Sequence, residues 1–309
     1  MNLQSKLNKT SGFTNLELLA QEVVEGFISG IHKSPFHGFS AEFAEHKIYN
    51  QGESTKHIDW KLFAKTDKLY TKRYEEETNL RCHLIIDNST SMHYPFVSQL
   101  KLDSLNKIGF SVLASAALMN IFKKQRDAVG LSIYSDDYDF YAPEKGSERH
   151  HHVLLAEMEK AMAQPSSGNE TKTYTYLHQI AEKLKRRSLV FLFTDMFQAS
   201  KSEEELFEAL HHLRYNKNEV VLFHTFDREK ELLFNFDNRP KRYVDVETGE
   251  TIDLYADNIK TNYKEAVNSY FEELKAQCIQ YKIKYVPVDI QQGFEKILTT
   301  YLVERQKFI

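Results

Sequence analysis

Leu84-Ile85-Ile86-Asp87-Asn88-Ser89-Thr90-Ser91 is the stretch from which the rest of the chain can be read. An apolar run that ends in one carboxylate and two alternating hydroxyls has the form of a buried strand opening into a loop. Oxygen donors at spacing two suit a hard divalent cation such as Mg²⁺, which takes oxygen ligands at short range and keeps some of its waters. The C-terminal end of a parallel strand is also where open α/β folds bind their ligands. The stretch therefore predicts a metal site facing outward from the end of a central strand.

Working outward, strands and helices alternate from Arg81 to the C-terminus. Strands are expected at 82–86, 128–134, 219–225 and 284–290, with 138–141 pairing beside the second. Ser188 to Phe193 is a continuous apolar run, as expected of a strand covered on both faces. Helical patterns fall at about 98–124, 150–163, 173–186, 202–214 and 259–281, and an amphipathic helix carries Phe294, Ile297, Leu298, Tyr301 and Leu302. Tyr243 to Glu247 and Glu250 to Leu254, joined at Thr248-Gly249, read as an inserted β-hairpin. Alternation of this kind predicts an α/β fold with a doubly wound, mostly parallel sheet over residues 81–309. Residues 1–80 read as an N-terminal extension packed on that domain. Thr14 and Glu17 form a capping box, Leu19, Val23, Phe27 and Ile31 continue a helix, and Ser34-Pro35 stops it. Residues 36–80 read as short strands and loops.

Composition narrows the function classes. Lys+Arg 40 against Asp+Glu 44 gives a net charge of -4, which argues against a general nucleic-acid binder. Cys82 and Cys278 are the only cysteines, and both fall in expected core elements, which predicts a reduced, cytoplasmic protein. The start shows no secretory pattern. The most apolar segment, Ile108 to Phe122, is interrupted by Gly109, Ser111, Ser115 and Asn120 and suits a buried helix rather than a membrane span. No phosphate-binding G-x-x-x-x-G-K-[ST] loop and no G-x-S-x-G elbow is present, so no catalytic signature supports an enzyme.

A second strand end supports the first. The run 188–193 finishes in Thr194-Asp195, and between the two sites Gly168 to Thr173 is a hydroxyl-rich loop. Strand, D-x-S-x-S, helix, loop threonine and a later T-D resemble the von Willebrand factor A fold, which is Rossmann-like, and its metal-ion-dependent adhesion site (MIDAS). By that resemblance Asp87, Ser89, Ser91, Thr171 and Asp195 hold Mg²⁺, or Mn²⁺ or Ca²⁺, with one position left to a partner's acidic side chain. Thr173 lies two residues from Thr171 and is the alternative ligand. Met196 stands where glycine usually follows the aspartate, which predicts a different backbone geometry there.

Phe39 to His46, Tyr49 to Glu53, His57 to Lys61, Ala64-Lys65, Leu69-Tyr70 and Tyr74 to Glu77 are similar to the signature of a bacterial family, domain of unknown function 58. That resemblance covers essentially the whole chain. It implies a non-enzymatic, chaperone-like binding or adaptor role, with a MoxR-type AAA+ ATPase or its client protein as partner. The charge balance and the interrupted apolar segment predict no nucleic-acid partner and no membrane insertion. The rival expectation is a metal-dependent phosphoesterase using Asp87 and Asp195, helped by Asp227. Arg149-His150-His151-His152 is expected to be a solvated helix start and His211-His212 a helix surface. Trp60 is expected to pack against the main domain.

Overall fold

The computed structural model describes residues 16–31, 46–48, 60–66, 70–72, 80–97, 104–135, 140–163, 173–196, 203–237, 241–244, 251–254 and 256–305. It divides into two compact units, one holding the chain up to Phe27 and from Leu80 onward, the other Ile28–Asn79. The first helix thus belongs largely with the α/β body rather than with the remainder of the extension. Trp60's side chain lies outside the described residues.

The α/β unit is built on six strands, β3 (Arg81–Asp87), β4 (Ala128–Tyr134), β5 (Phe140–Lys145), β6 (Leu189–Thr194), β7 (Glu219–Phe226) and β10 (Lys284–Asp289). Their order is β10-β7-β6-β3-β4-β5, all parallel except β5, which runs antiparallel to β4. β3 and β6 are central, and their registers place Ile86 beside Phe193 and Asp87 beside Tyr134. Asp87 and Asp195 thereby arrive at the same sheet edge, as the motif spacing predicts.

Helices cover both faces. Leu84 and Ile86 point into a core with α1 (Leu16–Ile31), α3 (Lys107–Lys124), α4 (Glu148–Ala163) and α8 (Glu295–Arg305). Ile85, Val190 and Leu192 point into a second core with α5 (Thr173–Lys183), α6 (Glu203–Arg214) and α7 (Ala256–Gln280). Side-chain alternation along each strand produces this division, and two covered faces explain why the strands read as unbroken apolar runs. Leu16, Leu19, Ala20, Val23 and Val24 bury the inner stripe of α1 in the first core. A separate antiparallel pair joins β8 (Lys241–Val244) to β9 (Thr251–Leu254). In the second unit, β1 (His46–Ile48) pairs antiparallel with β2 (Tyr70–Lys72), and Trp60–Thr66 is a short helix, α2. No helix among the described residues is long and apolar enough to cross a membrane.

The structure corrects three expectations. The helix anticipated from residue 98 starts only at Lys107, because Asn106 caps it by accepting from the Gly109 N–H at 2.9 Å. Thr90–His93 is instead a separate 3-10 turn. His151 is not solvated: it is buried in α4, while His150 Nε2 lies 2.9 Å from the Val129 carbonyl. His212 is half-buried, with its Nδ1 2.9 Å from Nδ1 of His178.

Candidate functional site

Asp87 ends β3, and its two carboxylate oxygens are already directed. Oδ1 accepts the Ser89 N–H at 2.9 Å, and Oδ2 accepts the Thr194 hydroxyl at 2.6 Å. Thr194 Oγ1 in turn accepts the Met196 N–H at 3.1 Å. Ser89 Oγ and Ser91 Oγ are 3.2 Å apart on the 3-10 turn. His93 Nε2 lies 3.0 Å from Asn88 Oδ1. Burial pushes His93 down to about 4, so it is the neutral ring that sits there. The Lys107 N–H donates to the Tyr94 carbonyl at 3.0 Å, fastening the motif turn to the start of α3. Tyr134 Oη is buried beside Asp87, Thr194 and Thr173 without a hydrogen-bond partner at bonding geometry.

Met196 has φ 55, the left-handed region that glycine occupies without strain. The methionine thus takes the turn a glycine would make while its side chain joins the second core, and the Tyr270 hydroxyl donates to its carbonyl.

A cation that sequence reading missed stands at the centre. Lys107 Nζ donates to Asp195 Oδ2 at 2.8 Å and to Glu231 Oε1 at 2.5 Å, with the lysine side chain 1% exposed. The other Glu231 oxygen accepts the Asp227 N–H at 2.6 Å, and Asp227 Oδ1 caps the π-helical turn Arg228–Leu232 through the Glu229 and Lys230 N–H groups. Lys107 is the first residue of α3, where the helix dipole disfavours a positive charge. Burial by itself lowers a lysine, yet Asp195 and Glu231 outweigh it and hold this ammonium above its ordinary value. Burial and the nearby Asp195 also push the Asp87 acid up, to about 6.

Charge in the cluster is therefore uneven. Four carboxyl side chains, Asp87, Asp195, Asp227 and Glu231, share this low-dielectric cluster with one ammonium. The site is also buried rather than outward-facing, with Asp87, Ser89, Ser91 and Asp195 all below 9% exposure. Structure brings Asp87, Ser89, Ser91 and Asp195 to one sheet edge, and Thr173 joins them through Tyr134. Thr171 lies outside the described residues. No group of three or more His, Cys, Asp or Glu side chains suited to a metal occurs among the described residues. An ion here would have to rest on Asp87 and hydroxyl oxygens. That set is hard, and a Ser89–Ser91 separation of 3.2 Å is close to the roughly 3 Å between adjacent ligands of an octahedral ion. Asp195 fits less well as a direct ligand, because Lys107 already holds its Oδ2.

Fold and site together define an α/β protein with an oxygen-rich, acid-excess cluster at the C-terminal edge of its parallel strands. The chain belongs to the family described as "Protein of unknown function DUF58", whose sequence model matches residues 45–272. Similar curated relatives include the uncharacterized proteins Mb1516 of Mycobacterium bovis and Rv1480 of Mycobacterium tuberculosis, each 21% identical over 180 residues. Those matches cover 58% of this chain, which spans 55% of the relatives' length. Among solved structures, the conserved hypothetical protein BatB from Bacteroides thetaiotaomicron is similar at a TM-score of 0.44 and 14% identity, over 74% of this chain and 99% of that one. An aerotolerance-related membrane protein from Bacteroides fragilis is similar at 0.43 and 12%, over 73% and 99%.

Proposed function

We propose that this chain is a non-enzymatic interaction module of von Willebrand factor A type, whose cluster takes up Mg²⁺ and uses it to capture an acidic side chain of a partner. The observation that carries the reading is the buried Asp87 carboxyl group beside Asp195, in a cluster where carboxyl side chains outnumber the one ammonium. Asp87, Ser89 and Ser91 would hold the ion, with Thr171 or Thr173 from the neighbouring loop. A bound cation of this kind supplies electrophilic attraction for an incoming carboxylate. Lys107 keeps Asp195 neutralised and turned toward α3, so that the ion is under-neutralised by the protein. The partner in this reading is a MoxR-type AAA+ ATPase or its client.

The phosphoesterase alternative is weaker on the same geometry. It needs both Asp87 and Asp195 on the metal, and Asp195 Oδ2 is engaged by Lys107.

Mg²⁺ and Mn²⁺ titration of the full chain by calorimetry, followed by capture of the purified ATPase, tests the reading. It expects metal-dependent capture that is lost in EDTA and in Asp87→Asn. Capture unchanged by EDTA overturns it. So does metal uptake seen only in Lys107→Met, because then the ammonium, not an ion, neutralises the wild-type site.

A further inference from the structure

The opposite edge of the sheet carries the reverse charge. Each of the five parallel strands begins beside an exposed basic residue: Arg126 before β4, Arg81 at the start of β3, Arg187 before β6, Lys217 before β7 and Lys282 before β10. At 4.7–4.9 Å between neighbouring strands the row extends about 19 Å. Four of these five residues, Arg126, Arg187, Lys217 and Lys282, have φ between 57 and 60. This is the left-handed region that glycine occupies without strain, and a side chain there costs roughly 1–2 kcal/mol. The helix dipole accounts for some preference for a cation at a helix end, about 0.3–1 kcal/mol. It does not account for keeping a long basic side chain at all four strained turns, nor for Arg81, which follows no helix.

Nor is the row an overflow of a basic composition, since the chain's net charge is -4. Two acids beside the row are engaged: Asp127 is buried and accepts the Leu80 N–H, and Glu219 pairs with Arg214 at 3.0 Å; Glu182, in the last turn of α5, is exposed. Tyr215 at 71% and Ile279 at 66% exposure stand among the cations. An open hollow of about 510 Å³ lies between Tyr215, Lys217 and Lys282.

We propose that this edge docks on an anionic phospholipid surface. The observations favour a bilayer over a nucleic acid: cations are presented one per strand along an edge, and an exposed aromatic and an exposed aliphatic side chain accompany them, as at membrane interfaces. Positive charge at the strand starts and negative charge at the strand ends also orient the molecule. The acid-excess cluster then faces away from the membrane, toward a soluble partner.

The test is flotation of the full chain with vesicles of phosphatidylcholine alone and of phosphatidylcholine mixed with phosphatidylglycerol, at about 0.1 M salt, where the screening length is still about 10 Å. Binding is expected only to the anionic vesicles and to fall as salt is raised. In the fourfold variant Arg126→Gly, Arg187→Gly, Lys217→Gly, Lys282→Gly, affinity is expected to drop about a thousandfold, from roughly fivefold per basic residue near the surface. Glycine suits each of those turns, so the variant's thermal unfolding separates lost binding from lost fold. Absence of binding to anionic vesicles, equal binding to neutral ones, an unaffected folded variant, or preference for an oligonucleotide competitor overturns the proposal.

Discussion

Two buried polar clusters sit on the same sheet and are built by opposite rules. The first is the Asp87–Asp195–Glu231–Lys107 cluster at the strand ends. The second lies alongside β3, β4 and β5, where His83 Nδ1 is 2.8 Å from Glu144 Oε1 and His83 Nε2 is 2.7 Å from Ser132 Oγ. An ionised Glu144 can only accept, so Nδ1–H donates to it, and Nε2 and the Ser132 hydroxyl share the second hydrogen bond. The connectivity is that of a serine–histidine–acid triad, but His83 and Ser132 are 0% exposed, and Ser132 lies within a strand. Burial tends to raise the Glu144 acid, and His83 overrides this and holds it below its ordinary value. Gly130 leaves the space for the imidazole, since a Cβ there would lie 2.5 Å from His83 Nδ1. This chain of hydrogen bonds ends at Glu144, whose Oε2 is buried without a hydrogen-bond partner. The strand-end cluster instead gathers several carboxyl groups around one ammonium. One cluster is a short buried relay; the other carries more acids than cations, the kind of arrangement that marks a candidate functional site.

The comparison breaks most directly at Lys107. Lys107→Met removes the ammonium that pairs with both Asp195 and Glu231 and leaves two buried carboxylates facing each other. Destabilisation of about 3–5 kcal/mol is expected in EDTA, as for other buried pairs that lose one partner. Mg²⁺ in the unfolding buffer should restore part of it. A loss below about 1 kcal/mol by urea denaturation would mean that the ammonium is not what balances the cluster.

How far the two clusters were legible beforehand differs for physical reasons. The strand boundaries and both aspartates followed from apolar runs ending in carboxylates, a local signal that the parallel register then brought to one edge. Lys107 gave no such signal: its partners lie 88 and 124 residues away, and a lysine opening a helix ordinarily reads as solvated. Asn106 three residues before Gly109 was legible as a cap and would have moved the predicted helix start. His151 was legible too, since it shares a helix face with Leu154, Leu155 and Met158, all buried. The pairing of β5 beside β4 was legible at 138–141, but the strand runs Phe140–Lys145, and it is that extension that carries Glu144 to His83.

Asp87→Asn sharpens the comparison through pH. The Asp87 acid is raised from 3.8 to about 6 in the folded protein, so the native state holds this proton more tightly than the unfolded chain. Stability from this group is therefore greatest below about pH 4 and declines as pH rises to about 6. Each pH unit crossed between those values is worth about 1.4 kcal/mol, so the whole decline is on the order of 3 kcal/mol. The stability of wild type relative to Asp87→Asn, measured by urea unfolding in EDTA from about pH 4.5 to about pH 7.5, should show that decline. Added Mg²⁺ should flatten it. Parallel curves for the two proteins would place the raised acid elsewhere.

In the His83 relay the corresponding lever is volume rather than charge. Gly130→Ala sets a methyl group 2.5 Å from His83 Nδ1 and 2.9 Å from the Ala142 carbonyl, and neither neighbour is a free side-chain end. A cost of about 1–3 kcal/mol is expected, independent of Mg²⁺. Dependence on metal would show that the two clusters are coupled across β3.

The smallest effect expected concerns how the unbalanced cluster is held in place. Asn106 caps α3 through the Gly109 N–H and also donates to the His93 carbonyl at 3.2 Å, so one side chain joins the metal-motif turn to the helix that carries Lys107. Asn106→Ala should cost about 1 kcal/mol from the lost cap. Asn106→Asp keeps the acceptor for Gly109 but not the donor to His93, and it adds a negative charge at the helix start, where the dipole favours one. If capping were the whole role, Asn106→Asp would match wild type in both stability and Mg²⁺ affinity. If the residue also sets the turn that presents Ser89 and Ser91, Asn106→Asp will retain stability yet bind Mg²⁺ more weakly, and calorimetry on the two variants distinguishes these outcomes.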